Sequence, residues 1–82
     1  MSYRIINKQG RALTGFYSNG GFELRDVFAF SKFSWKSFKT EKEVQEYLLY
    51  LIVECRKQQD RWGDFTDKAE KFARSLDYEV ID

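Results

Sequence analysis

The sequence contains no histidine and no proline, and only one cysteine and one methionine. Each absence removes a class of chemistry or architecture. Without histidine there is no imidazole base, no Ser-His-Asp triad and no imidazole metal ligand. A single cysteine, Cys55, closes no internal disulfide and supplies no cysteine-rich zinc site. A small secreted domain would carry several cysteines. No apolar signal segment opens the chain. The longest apolar run, "YLLYLIV" at 47–53, is far shorter than the ~20 residues that a membrane helix needs. The expectation is a cytoplasmic protein with no membrane partner.

What is present in excess is aromatic. Phe, Tyr and Trp make up 18% of 82 residues, a length that implies one domain over 1–82. A chain this short buries only ~60–65% of the surface its unfolded form exposes. Each buried ring removes roughly 150–250 Å² from water, so aromatics let a small core hold without staples. Charge is polarised along the chain. Residues 1–39 carry seven bases and two acids, a net of +5, and residues 40–82 carry seven bases and eleven acids, a net of −4. Such asymmetry either marks partners or is neutralised when the halves fold together.

The first half reads as strands and turns. "YRII" is β-rich, and Gly10 in "NKQG" takes the positive φ of a short hairpin leading to "RALTGFY". "SNGG" at 18–21 reads as a second hairpin turn. "FELRDVFAF" alternates apolar residues but is interrupted by Asp26, which implies a bulge or a helical turn around 24–29. Thr40 with Glu43 forms a capping box and Gly63 a stop, so one long helix is expected over 41–61. Asp64 is placed to cap a second helix carrying the stripe Phe65, Ala69, Phe72, Ala73 and Leu76. "DYEVID" reads as a short final strand. The expected fold is α+β, in the order βββαα(β). A small antiparallel sheet packs against a long helix and a shorter second one.

On a helical wheel Val44, Tyr47, Leu48, Leu51, Ile52 and Cys55 fill one arc, wide enough to cover the sheet. Leu49, Tyr50 and Val53 fall on the opposite side. They are covered either by the second helix or by a partner chain.

No constellation of catalytic residues emerges. Cys55 sits on the apolar arc, where a buried inert thiol is expected. Asp60, Asp64 and Asp67 lack the alternate-position spacing and late Glu of a calcium loop, so they read as helix caps and a solvated turn. "SNGG" lacks the Lys-Ser/Thr of a phosphate loop. No catalytic residue, metal or cofactor is assigned.

Two surfaces compete for function. "FAFSKFSWKSFK" at 28–39 interleaves five aromatics with three lysines, as single-strand nucleic-acid binders do. A nucleic-acid module would use Arg4, Arg11, Lys32, Trp35, Lys36 and Lys39. No Lys/Arg-Gly-Phe-Gly-type run is present, and the pI near 7.8 is low for a dedicated nucleic-acid domain. The bent spacing of the rings instead suggests a corner of the core rimmed by lysines. The competing surface is protein-binding: Leu49, Tyr50 and Val53, with Asp60, Asp64 and Asp67 presenting acids to a basic target.

"YRIINKQGRALTGF", a Gly-rich turn, and then "AFSKFSWKSFKTEKEVQEYL" resemble the layout of small phage and prophage accessory proteins over roughly residues 3–48. Those open with two strands around a Gly and later show Ala-x-x-Phe before a capped helix. Ala29, Phe33, Phe38, Thr40 and Glu43 take the similar places here, with looser spacing. The resemblance implies a non-enzymatic protein that binds and blocks one host macromolecule, as anti-CRISPR and other counter-defence proteins do. It carries over no catalytic residue. The alternatives to a host-protein binder are the nucleic-acid module and a self-associating protein dimerised through the long helix.

Overall fold

A computed structural model describes residues 1–81. Strand β1 (Ser2–Ile6) and strand β2 (Ala12–Phe16) are followed by a short helix α1 (Leu24–Val27) and strand β3 (Phe28–Ser31). Helices α2 (Glu41–Lys57), α3 (Gln59–Trp62) and α4 (Phe65–Arg74) come next, and strand β4 (Asp77–Ile81) closes the order. The four strands form one antiparallel sheet in the order β3-β2-β1-β4. The expected α+β architecture is present, including the fourth strand.

Local chemistry explains each element. In the β1–β2 turn the Asn7 side-chain oxygen accepts from the amides of Gln9 and Arg11, and Gly10 takes a φ of +79°. The Thr40 hydroxyl accepts from the Glu43 amide at 3.1 Å. The Glu43 carboxylate reaches back one residue further than in the usual capping box, to the Lys39 amide at 3.1 Å.

Three local expectations are corrected. "SNGG" is a turn, with the Gly20 amide donating to the Tyr17 carbonyl at 3.0 Å, but it leads into α1 and not directly into a strand. Any Cβ on Gly20 would sit 2.0 Å from the Asp26 carbonyl oxygen, so folding α1 back over the turn requires glycine there. The helix expected over 41–61 breaks at Gln58, whose ψ of 10° ends α2 before α3 begins. The break lets Trp62 turn into the core at 4% exposure. Asp64 stands at the start of α4 but makes no side-chain capping bond, because its backbone is already helical.

The sheet buries one face under the helices. Ile5, Leu13 and Phe28 pack against Val44, Leu51, Cys55, Trp62, Ala69, Ala73 and Leu76. A bulge in β2 makes this possible. Leu13 pairs with Phe30 and Phe16 with Phe28, so three steps along β2 match two along β3 and both Leu13 and Phe16 reach the core. Small Ala69 and Ala73 let α4 approach α2 closely, and each fully buried Val, Leu or Ile side chain of the core contributes about 1.5–3 kcal/mol.

The segment 32–39 is a wedge. Strands β1 and β2 pair only at Ile6 with Ala12 and then part. Into the gap runs the chain before α2. The Lys36 amide donates to the Leu13 carbonyl, and Phe38 bridges Tyr3 through two backbone bonds of 2.8 and 2.9 Å. Phe38 is buried and stacks on Tyr47 at 5.2 Å. The expected corner is therefore present, though not all of its rings turn inward: Phe33 is 90% exposed.

Candidate interaction surfaces

Helix α2 projects Leu49, Tyr50 and Val53 into solvent at 64%, 46% and 51% exposure. Their i, i+1, i+4 spacing puts them within one arc of the helix. The second helix does not cover them, because α4 packs on the side of α2 that carries Cys55. The Tyr50 ring is anchored at its inner edge by Phe16 at 6.4 Å and Tyr47 at 5.3 Å. The ion pairs Lys42–Glu46 and Glu54–Lys57 bracket the patch along the helix. An apolar centre with a charged rim is the anatomy of a protein interface.

The three aspartates do not act as a unit. Asp67 lies 3.6 Å from Arg56, which also binds Glu70 at 2.9 Å. The hydrogen bond from Arg56 holds the Glu70 carboxyl below its ordinary range and pushes the Arg56 guanidinium upward. Asp60 and Asp64 are exposed on α3 and at the α3–α4 junction, with no ion pair among the described residues. Among the described residues no three His, Cys, Asp or Glu side chains stand close enough to share a metal ion.

The six residues of the basic surface sit in different local settings. Arg4 pairs with Glu79 on the sheet face away from the helices, and its guanidinium lies 4.5 Å from the Trp35 ring centre. Trp35 is thus half outward, at 36% exposure, with Arg4 across it. Lys36 leans over Tyr47 at 5.4 Å and Phe38 at 5.9 Å, while Arg11, Lys32 and Lys39 are exposed.

Cys55 is fully buried. Burial first, then the charges of Glu70 and Glu54, push its thiol up to about 11. Burial and then Tyr50 raise the Tyr47 hydroxyl as well.

Sequence reading missed a groove. It lies between the β1–β2 turn, α1, α4 and β3, as two adjoining hollows of about 380 and 490 Å³. Both share Asn7, Gln9, Leu24 and Phe72. Lys8, Lys68 and Lys71 line one, and Phe28, Ala29 and Phe30 line the other. Its walls come from three segments far apart in sequence, the β1–β2 turn, α1 with β3, and α4, so no motif announces it. The available signal was weak: the acids of α4 are engaged elsewhere, Asp67 and Glu70 with Arg56 and Glu70 also with Arg74. Lys68 and Lys71 are left without an ion pair among the described residues.

No helix is long and apolar enough to cross a membrane among the described residues. No protein-family model, no curated relative and no solved structure matches this chain.

Proposed function

We propose that this chain is a non-catalytic binding protein that acts by occupying a surface of a protein partner, with Leu49, Tyr50 and Val53 as the centre of contact. One observation carries the reading: these three side chains stand exposed together on α2, and α4 packs elsewhere. Interfaces of this kind draw their energy from a few aromatic and apolar anchors in the middle of a polar rim. Asp60 and Asp64 are exposed acids with no ion pair among the described residues, suited to a basic target, whereas Asp67 is engaged by Arg56. The resemblance of residues 3–48 to small phage accessory proteins points this reading to a host protein as the partner and a blocking role as the outcome.

The test is affinity capture from nuclease-treated lysate with the parent and with a Tyr50→Ser/Val53→Ser variant. The expected result is a stoichiometric protein that the parent retains and the variant loses while its circular dichroism is unchanged. Loss of the captured species on nuclease treatment would replace this reading with the nucleic-acid one. A concentration-dependent dimer that the variant abolishes would put a second copy in the partner's place.

A further inference from the structure

The groove beside β3 runs along an open sheet edge. β3 is terminal in the sheet order, with β2 as its one neighbour among the described residues. The direction of its backbone groups follows from two hydrogen bonds. The Leu13 carbonyl accepts from Lys36 on the side of β2 away from β3, so Leu13 and its partner Phe30 form a non-hydrogen-bonded pair. The Ala29 carbonyl, one residue along, points to β2 and accepts the Thr14 hydroxyl at 3.1 Å. The amide and carbonyl of Phe30 therefore point outward, as does the carbonyl of Phe28. The Phe28 amide is satisfied by the Leu24 carbonyl in α1. Ala29 also lines the groove, although its side chain lies on the sheet face opposite to those of Phe28 and Phe30. A hollow lined by residues of both faces follows the strand's backbone edge.

The remaining walls give the groove its sign. Leu24 and Phe72 supply an apolar floor, and Lys8, Lys68 and Lys71 stand on the rim without ion pairs among the described residues. Arg25, which lines the hollow beside β3, is itself engaged by Glu23 at 2.7 Å. We infer that this edge takes an extended acidic peptide segment of a partner, which adds to β3 as a fifth strand. Its backbone pairs with Phe30 and the Phe28 carbonyl, one large apolar side chain rests on Leu24 and Phe72, and its carboxylates meet Lys8, Lys68 and Lys71. Main-chain pairing supplies affinity in such strand addition, and side-chain pockets supply selectivity. The site lies apart from the α2 patch and stands or falls independently of it.

The probe is a fluorescein-labelled octapeptide of glutamates with one central leucine, titrated by fluorescence anisotropy against the intact chain. Saturable binding is expected. A Lys68→Glu/Lys71→Glu variant should weaken it at least tenfold with its circular dichroism unchanged, because both lysines are exposed and make no ion pair among the described residues. A peptide N-methylated at alternate amides should weaken it similarly against the unaltered protein. In NMR, the Phe30 amide should gain protection from hydrogen exchange when the peptide binds. Absence of saturable binding at millimolar peptide would overturn the inference. So would equal affinity for the N-methylated peptide, which would show an anion site without strand pairing. Tighter binding of a single-stranded oligonucleotide through the same lysines would overturn it too. So would a dimer of the free chain that Lys68→Glu/Lys71→Glu abolishes, because the edge would then belong to a second copy.

Discussion

The Arg4 guanidinium is held between two partners, the Glu79 carboxylate at 2.5 Å and the Trp35 ring at 4.5 Å. The arrangement joins β1, β4 and the wedge on the sheet face that the helices leave bare. It also commits one of the bases that a nucleic-acid surface would need. A cation over an indole face at a partly exposed site gives about 0.5–1 kcal/mol. A double-mutant cycle of Arg4→Ala and Trp35→Ala, followed by urea denaturation, should return a coupling of about that size. Zero coupling would mean that the two groups are neighbours without interacting.

The α2 patch should be nearly neutral for stability. Leu49→Ser and Val53→Ser remove exposed side chains, and the expected change is within about 0.5 kcal/mol. Tyr50→Ser should cost more, about 1 kcal/mol, because it also removes ring contacts with Phe16 and Tyr47. Urea midpoints of the three variants check the ranking. A loss above about 2 kcal/mol for Val53→Ser would place that residue in the core.

How much of this was legible in the sequence follows from the range of the forces involved. Helix α2 was readable because its cap, Thr40 with Glu43, and its apolar arc are local. The break at Gln58 was not, because no glycine or proline marks it. It is set by Trp62 reaching the core, a tertiary preference that overrides a helix-compatible sequence. The spacing from Phe28 to Phe38 showed a bend, but not that the chain enters the gap between β1 and β2, which is fixed by the Lys36–Leu13 and Phe38–Tyr3 bonds. The exposure of Leu49, Tyr50 and Val53 depended on which side of α2 the other helix chose. The wheel could place them opposite the sheet and no further. The β3 groove needs Asn7, Leu24, Phe30 and Phe72 side by side, an arrangement that only topology supplies.

Thr66 holds a removable cost. Its side chain is 1% exposed, and neither its hydroxyl nor the Trp62 indole N–H has a hydrogen-bond partner among the described residues. A buried polar group without a partner costs about 1–3 kcal/mol, and an apolar replacement of the same shape removes that cost. Thr66→Val should therefore stabilise the fold by about 1 kcal/mol, raising the urea midpoint without changing the slope. Destabilisation would show that the hydroxyl is satisfied in solution.

Cys55 should make stability fall at high pH. In the fold its thiol is pushed from 9.0 up to about 11, first by burial and then by Glu70 and Glu54. The raised value means that the native state keeps a proton that the unfolded chain has released. Below pH 9 both states hold the proton and the stabilising contribution is complete. Between pH 9 and about 11 it is lost progressively, and above that range both states are thiolate and the curve levels. The total loss is on the order of 3 kcal/mol. Burial raises the Tyr47 hydroxyl in the same direction, so the parent must be compared with Cys55→Ala across this range. The difference between the two curves should narrow with rising pH, because the alanine variant has no thiol to ionise. Cys55 in the folded parent should also react with thiol reagents at pH 8 far more slowly than it does in urea, since the thiolate is the reacting form. A parent and a variant that lose stability in parallel would show that Cys55 ionises in the fold as it does in the unfolded chain.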